Sequence, residues 1–217
     1  MVITLDGPSG TGKSTLAKLI AKKLGFKMLN TGMIYRAITY YYIKNAVYPN
    51  NLNAILDNID KFDIVIKFED DNQHVYINDK DYTAYVNDSV VQKNVSLFSE
   101  VLAIRERVAK IQRDYAKNED VVIEGRDIGT AIFPDAKYKF YVTCDINVRA
   151  KRRFDDLKQN GKNISLDEVI ASLENRDRLD SSRKYGKLQR AKDATLIDTS
   201  NSSLQQTLDE ILSYINE

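Results

Sequence analysis

Eight consecutive residues, Gly7-Pro8-Ser9-Gly10-Thr11-Gly12-Lys13-Ser14, fit the spacing G-x-x-x-x-G-K-[ST] and constrain the fold more than any other stretch. The run comes straight after a short apolar segment, Val2 to Leu5, which reads as a strand. It opens a segment from Lys13 to Leu24 that places Leu16, Leu19, Ile20 and Leu24 on one helical face and closes at Gly25. Glycines let such a turn aim several backbone N–H groups at one anion, and the helix start adds its positive dipole end. Lys13 would reach the outer phosphates of a nucleoside triphosphate, and Ser14 would offer its hydroxyl to Mg²⁺. The segment Gly7 to Thr15 is therefore the expected ATP-binding half of a phosphoryl-transfer site.

The rest of the chain alternates strand and helix patterns. Phe26 to Leu29 reads as a strand, Gly32 to Val47 as a helix whose aromatics look like packing groups, and Leu52 to Ile59 as a short helix. Between Phe62 and Phe68 the apolar residues alternate. His74 to Ile77 follows across the turn-forming Asp70-Asp71-Asn72, and Asp81 to Val86 offers a third short strand. These segments suggest a small antiparallel patch. Val90 to Lys117 is helical in character. Val121-Val122-Ile123 reads as a buried parallel strand with the charged group Glu124-Gly125-Arg126-Asp127 at its carboxyl end. Tyr138 to Thr143 and Thr195 to Ile197 are further strands. Ile146 to Lys158, Leu166 to Leu179 and an amphipathic stretch from Leu204 to Ile215 are helices. Alternation of this kind implies an α/β fold with a parallel sheet and right-handed crossovers.

Composition narrows the function. The 217 residues suit one α/β domain with room for an insertion, and a hydrophobic fraction of 43% allows a true core. A net charge of +1 argues against a general nucleic-acid binder. One cysteine, Cys144, leaves no internal disulfide and fits a reducing cytoplasm. The start Met-Val-Ile-Thr-Leu-Asp has no basic or long apolar region, so no signal peptide is expected, and no stretch approaches the roughly 20 apolar residues that span a bilayer. No guanine-reading Asn-Lys-x-Asp segment accompanies the loop, and motor ATPases are usually longer, so kinases of small metabolites lead. A kinase needs a second anion site facing the first. Only Arg36 precedes residue 105, whereas eleven arginines lie from Arg105 onward, and arginine is the side chain for a two-pronged grip on phosphate. An acceptor that is itself a phosphate needs no general base, only neutralising positive charge. The sole histidine, His74, is expected on the exposed surface.

At this point the chain resembles the bacterial cytidylate kinases. The resemblance rests on Asp6-Gly7-Pro8-Ser9-Gly10-Thr11-Gly12-Lys13-Ser14-Thr15, Asn30-Thr31-Gly32-Met33-Ile34-Tyr35-Arg36, Glu124-Gly125-Arg126-Asp127-Ile128-Gly129-Thr130, Phe133-Pro134-Asp135-Ala136, and Arg176-Asp177-Arg178-Leu179-Asp180-Ser181-Ser182-Arg183. It covers essentially the whole chain and implies one kinase domain over 1–217. That domain would have a P-loop core on a five-stranded parallel sheet, a monophosphate-binding insert at about 31–105 that includes the β patch 62–86, and a mobile lid at about 150–165. It also implies transfer of the γ-phosphate of ATP to CMP or dCMP by a cytoplasmic monomer without nucleic-acid or membrane partners.

By the same resemblance, Thr31 and Arg36 would hold the CMP, and Ser96 and Arg105 would read the cytosine. Arg126 and Asp127 would contact monophosphate and base. Arg176, Asp180 and Arg183 would handle phosphate and sugar. Arg149, Arg152 and Arg153 would close on the transferring phosphoryl group, with Lys13 and Arg126 also in the catalytic set. The sequence leaves those three arginines unranked. Asp198-Thr199-Ser200 resembles the loop that passes the adenine.

Two positions depart from the family pattern: Asn30 stands where Asp is usual, and Glu124 stands where Asp is usual before G-R-D. The alternatives are a related kinase preferring UMP or AMP, and a nucleotide-binding regulator without turnover.

Overall fold

The computed structural model describes residues 1–70, 72–159 and 161–216, the side chain of Asn216 excepted. Asp71, within the expected hairpin turn, and Asn160, within the expected lid, lie outside the described residues. In chain order the elements are β1 (Val2–Asp6), α1 (Lys13–Leu24), β2 (Lys27–Asn30), α2 (Thr31–Lys44), α3 (Leu52–Leu56), β3 (Ile64–Glu69), β4 (Asn72–Ile77), β5 (Lys80–Asp81), α4 (Ser89–Phe98), α5 (Leu102–Ala116), β6 (Val121–Gly125), β7 (Tyr138–Thr143), α6 (Ile146–Gln159), α7 (Leu166–Ser182), β8 (Thr195–Asp198) and α8 (Leu204–Asn216).

Five strands form one parallel sheet in the order β2-β6-β1-β7-β8. Strand β1 is central. It pairs Asp6 with Gly125 of β6 on one side and with Tyr141 of β7 on the other. Its Val2 and the buried Thr4 and Asp6 share one face, while Ile3 and Leu5 alternate onto the other and are fully buried against Leu16 and Ile20 of α1 and Ile211 of α8. Each side chain of that size stabilises the fold by roughly 1.5–3 kcal/mol when removed from water. Because the strands run parallel, all of their carboxyl ends share one edge, and the chemistry-bearing loops collect there.

A second sheet, β3-β4-β5, is antiparallel, as the alternation predicts. Its Ile64, Val75 and Ile77 share a core cluster with the buried Tyr42 of α2, which stacks on Phe98 of α4 with ring centroids 5.8 Å apart. Three expectations need revision. The third strand is only Lys80–Asp81, followed by a 3-10 turn at Thr83–Tyr85. The Asp81 side chain accepts from Thr83 N–H at 2.7 Å and so diverts the backbone from the ladder. His74 is half-buried rather than exposed, with Nδ1 2.9 Å from Asp81 Oδ2. The helical stretch 90–117 divides between α4 and α5 at Ser99–Val101. There the Ser99 hydroxyl donates to Val95 O at 2.6 Å, and its freed carbonyl accepts from Arg105 at 3.2 Å.

One side chain ties the two sheets together. Gln73 of β4 is buried; its Oε1 accepts from Asn30 N–H at 2.7 Å and its Nε2 donates to Asn30 O at 3.1 Å. Gln73→Ala leaves two backbone groups at the end of β2 without partners. It is expected to lower unfolding free energy by about 1–3 kcal/mol in urea titrations followed by circular dichroism; an unchanged midpoint would deny the tie its role.

Candidate active site

The loop after β1 takes its shape from close approach. Gly7 has φ of +148°, and a Cβ there would lie 2.0 Å from the Val142 carbonyl oxygen of β7, so only glycine fits. Gly12, at φ +89°, caps α1 without any side-chain bond, which leaves the first-turn N–H groups facing the cleft. The loop is braced from behind. Thr199 after β8 donates to Thr11 O at 3.1 Å, and Arg149 donates to Ser9 O at 2.9 Å. Thr199 belongs to the Asp198-Thr199-Ser200 segment noted in the sequence, and in the structure it fixes the loop.

Beyond the loop opens a cleft of about 930 Å³. Of the residues singled out from the sequence, Ser9, Gly10, Thr11, Gly12, Lys13, Ser14, Thr15, Thr31, Arg36, Ser96, Arg105, Arg126, Asp127, Arg149, Arg152, Arg153, Arg176, Asp180 and Arg183 all line it. Gly7 and Pro8 stand behind the wall. Among the described residues ten cationic side chains face this cleft against four carboxylates, although the chain as a whole carries only +1. So lopsided a lining fits polyanionic ligands.

The carboxylates organise the cations. Asp180, buried at the end of α7, accepts from Arg126 Nε at 2.8 Å through Oδ2 and from Arg183 through Oδ1. Burial opposes its ionisation, but the guanidiniums of Arg126, Arg183 and Arg176 hold its carboxyl below the usual range. Asp127 pairs with Arg105, whose guanidinium lies 5.7 Å over the Tyr35 ring. Tyr35 therefore lines the cleft. It sits near the start of α2, one side packed against the core cluster that holds the aromatics further along that helix. Ser96 lies on the neighbouring wall from α4. Asp177 accepts from Arg149 at 2.6 Å.

Four cleft-lining arginines remain without an ion pair among the described residues: Arg36, Arg152, Arg153 and Arg176. In Arg36 and Arg176 the Nε is buried with no hydrogen-bond partner. Burial lowers both guanidiniums to about 10, and for Arg176 the nearby Arg126 adds to the effect. Lys13, donating to Pro8 O and to Thr11 Oγ1, is lowered by burial and by Arg126 to about 7. Cations this strained gain most from an incoming anion.

The structure also separates the lid arginines. Arg149 is buried and makes three bonds, with Nε donating to Cys144 O at 3.1 Å in addition to the bonds from Nη1 to Ser9 and Asp177. Arg152 donates to Thr199 O at 2.9 Å. Arg153 makes no hydrogen bond among the described residues.

At the end of β6, Glu124 accepts from the Ser14 hydroxyl at 2.9 Å, which puts a hydroxyl and a carboxylate side by side against the loop. Among the described residues no group of three or more His, Cys, Asp or Glu side chains could hold a metal. A divalent cation would therefore depend on Ser14, Glu124 and ligand oxygens. Thr31 Oγ1 donates to Glu124 O at 2.9 Å and so fixes the same strand end. Asn30 caps α2, its Oδ1 accepting from Met33 N–H at 3.0 Å. An amide serves there as well as a carboxylate.

Asp6 ends β1. Nothing in the motif spacing assigns it a separate role. Its Oδ1 accepts from Ile128 N–H at 2.9 Å and its Oδ2 from Gly129 N–H at 2.7 Å, at the head of a one-turn π helix, Ile128–Ile132. The strand that carries the phosphate loop thereby grips the segment carrying Arg126 and Asp127.

A parallel α/β sheet with this loop and a cleft lined by guanidinium groups defines the class: a P-loop protein built for ligands bearing several phosphates. A sequence model of the cytidylate kinase family matches residues 3–217. A protein named cytidylate kinase from Clostridium botulinum (strain Loch Maree / Type A3) is 40% identical over 213 residues, 98% of this chain and 96% of its own. Another of that name, from Lactobacillus gasseri, is 40% identical over 217 residues, 100% of this chain and 93% of its own. The chain belongs to the cytidylate kinase family. Among solved structures, an uncharacterized protein from Eubacterium ventriosum shares the fold with TM-score 0.54 at 13% identity, covering 100% of this chain and 99% of that one. No helix among the described residues is long and apolar enough to cross a membrane.

Burial pushes the Asp6 carboxyl from 3.8 up to about 6, against the opposing pull of its two N–H donors. Between those values the native state holds a proton that the unfolded chain has released. The contribution of Asp6 to stability therefore falls as pH rises through the window. Asp6→Asn removes this dependence: its stability relative to wild type is expected to improve by about 2–3 kcal/mol between pH 4 and pH 7. Urea unfolding at stepped pH measures the difference, and a constant offset would exclude titration of Asp6 in this range.

Proposed function

We propose that this chain is a CMP/dCMP kinase that moves the γ-phosphoryl group of Mg²⁺-ATP onto a phosphate oxygen of CMP or dCMP, releasing ADP and CDP or dCDP. One observation carries the reading. Arg36 and Arg176, free of ion pairs among the described residues, share a single cleft with Lys13 of the phosphate loop. A donor triphosphate on the loop and an acceptor monophosphate between those arginines would meet in that cleft.

In this reading Lys13 and the loop N–H groups hold the β and γ phosphates. Arg36 and Arg176 grip the acceptor phosphate. Arg126, anchored by Asp180, stands between the two, within electrostatic reach of both Lys13 and Arg176. The attacking oxygen is already anionic, so no base is required, and His74, paired with Asp81, stays out of the chemistry. Ser96, Arg105 and Asp127 form the base-reading corner, and Asp180 with Arg183 faces the sugar. Ser14 and Glu124 would hold Mg²⁺ through its water shell and the nucleotide, and the metal would supply charge neutralisation on the triphosphate. Arg153 is the lid arginine with freedom to join the transferring group, while Arg149 and Arg152 brace the loop. The domain layout follows: one domain over 1–217, an insert at about 31–105 and a lid at about 150–165. The small apolar cluster of Ala150, Val169 and Leu173, which joins α6 to α7 apart from the two larger cores, supports such a lid. A monomer acting in the cytoplasm completes the reading.

Purified protein with ATP should convert CMP and dCMP to their diphosphates in a coupled ADP-release assay, and turnover of only UMP or AMP would overturn the substrate. Lys13→Ala should abolish turnover with the fold intact by circular dichroism. Ser96→Ala should lower the CMP-to-UMP ratio of kcat/KM by the ~1–3 kcal/mol of a lost hydrogen-bond partner, and an unchanged ratio would remove Ser96 from base recognition.

A further inference from the structure

We propose that Gly186 sets the geometry of the Arg105–Asp127 base-reading corner, so that the absence of a side chain at this position is a determinant of nucleotide affinity and selectivity. The inference builds on the assignment of that corner to the acceptor base. Gly186 follows α7 in the connection to β8, and Leu188 N–H bonds back to Asp180 O at 2.8 Å. Leu188 is itself buried. This pins the connection across the cleft edge, and Gly186 sits in the left-handed region with φ of +62°.

A Cβ at residue 186 would lie 1.9 Å from Arg105 Nη2, 2.2 Å from Arg105 Cζ and 2.5 Å from Asp127 Oδ2. Those distances are far inside van der Waals contact, so the pair and a methyl group cannot coexist. A long exposed arginine could swing aside, but Arg105 is only 6% exposed. Its Nη1 is held by Ser99 O at 3.2 Å, its guanidinium rests over Tyr35, and its other edge meets Asp127. Any displacement moves both arginine and carboxylate from the positions that face the cleft. Gly186 touches the base readers and not the phosphate loop, so it is a positioning residue for the acceptor alone.

Gly186→Ala is expected to raise KM for CMP by about tenfold, the size of one lost polar contact, and to lower the CMP-to-UMP ratio, with KM for ATP within about twofold. Backbone strain at positive φ is controlled by Gly25→Ala. Gly25 has φ of +70° at the end of α1, with nothing within 4 Å of an added Cβ. That variant should lose stability without a change in KM for CMP.

A double variant, Arg105→Ala with Gly186→Ala, tests the route of action. With the guanidinium gone, only Asp127 Oδ2 remains of those close contacts, and that carboxylate, released from its pair, can turn aside; KM for CMP should therefore equal that of Arg105→Ala within about twofold. Should Gly186→Ala alone fail to fold, the double variant carries the test and should fold. The proposal is overturned by a wild-type KM for CMP in Gly186→Ala, by effects of the two substitutions that multiply, by a double variant that does not fold, or by a matching rise in KM for CMP in Gly25→Ala. Wild-type protein that leaves CMP unphosphorylated overturns the functional reading instead.

Discussion

Each guanidinium brought near Lys13 raises the free energy of every other cation in the cleft, and the rest of the site is arranged around that repulsion. The depression of Lys13 to about 7 and of Arg36 and Arg176 to about 10 records it, with burial as the larger cause in each case. Carboxylates act as struts. Asp180 bridges Arg126 and Arg183, Asp127 holds Arg105, and Asp177 holds Arg149. Each strut fixes a cation in place while leaving part of its donor set toward the cleft, because a guanidinium has five N–H groups and one carboxylate occupies two at most. Arg36, Arg176 and Arg153 have no such strut and line the same cleft as Lys13.

The sheet makes this arrangement possible. Parallel strands deliver the phosphate loop from β1, Asn30 and Thr31 from β2, and Glu124 to Asp127 from β6 at one edge. Asp6 then locks β1 to the π-helical turn beside β6 through two backbone N–H groups. The phosphate loop and the segment carrying Arg126 and Asp127 are thus joined by a buried carboxylate one residue ahead of the loop.

Much of this was legible in the sequence. The loop spacing identifies β1 and α1 with their ends, and the short run Val121-Val122-Ile123, too short for a helix and rich in β-branched residues, identifies β6 as a buried strand. The arginines of the cleft were legible as a set because their positions match family motifs. What escaped depended on contacts remote in sequence. Tyr35 shares a helix with packing tyrosines, and only the position of α2 against β2 turns it toward Arg105. The third insert strand shrank because an Asp81 side chain competed with the ladder. The ranking of Arg149, Arg152 and Arg153 depends on partners 28 to 140 residues away in sequence, among them Asp177, Ser9 and Thr199. Gly186 carries no motif at all; its importance comes from two side chains of other elements that reach the space where its Cβ would stand.

The same electrostatics links the two ligands. An anion bound by Arg36 and Arg176 removes part of the field that opposes protonation of Lys13, and a triphosphate on Lys13 does the reverse for the arginines. Each ligand therefore improves the cleft for the other by lowering a shared repulsion, and by thermodynamic reciprocity the gain is equal in both directions. Binding both also brings two polyanions together, which opposes the gain. The balance rests on the cations between them, Arg126 foremost. Its anchoring to Asp180 keeps it in position before either ligand arrives, so it need not be reordered when the second one binds.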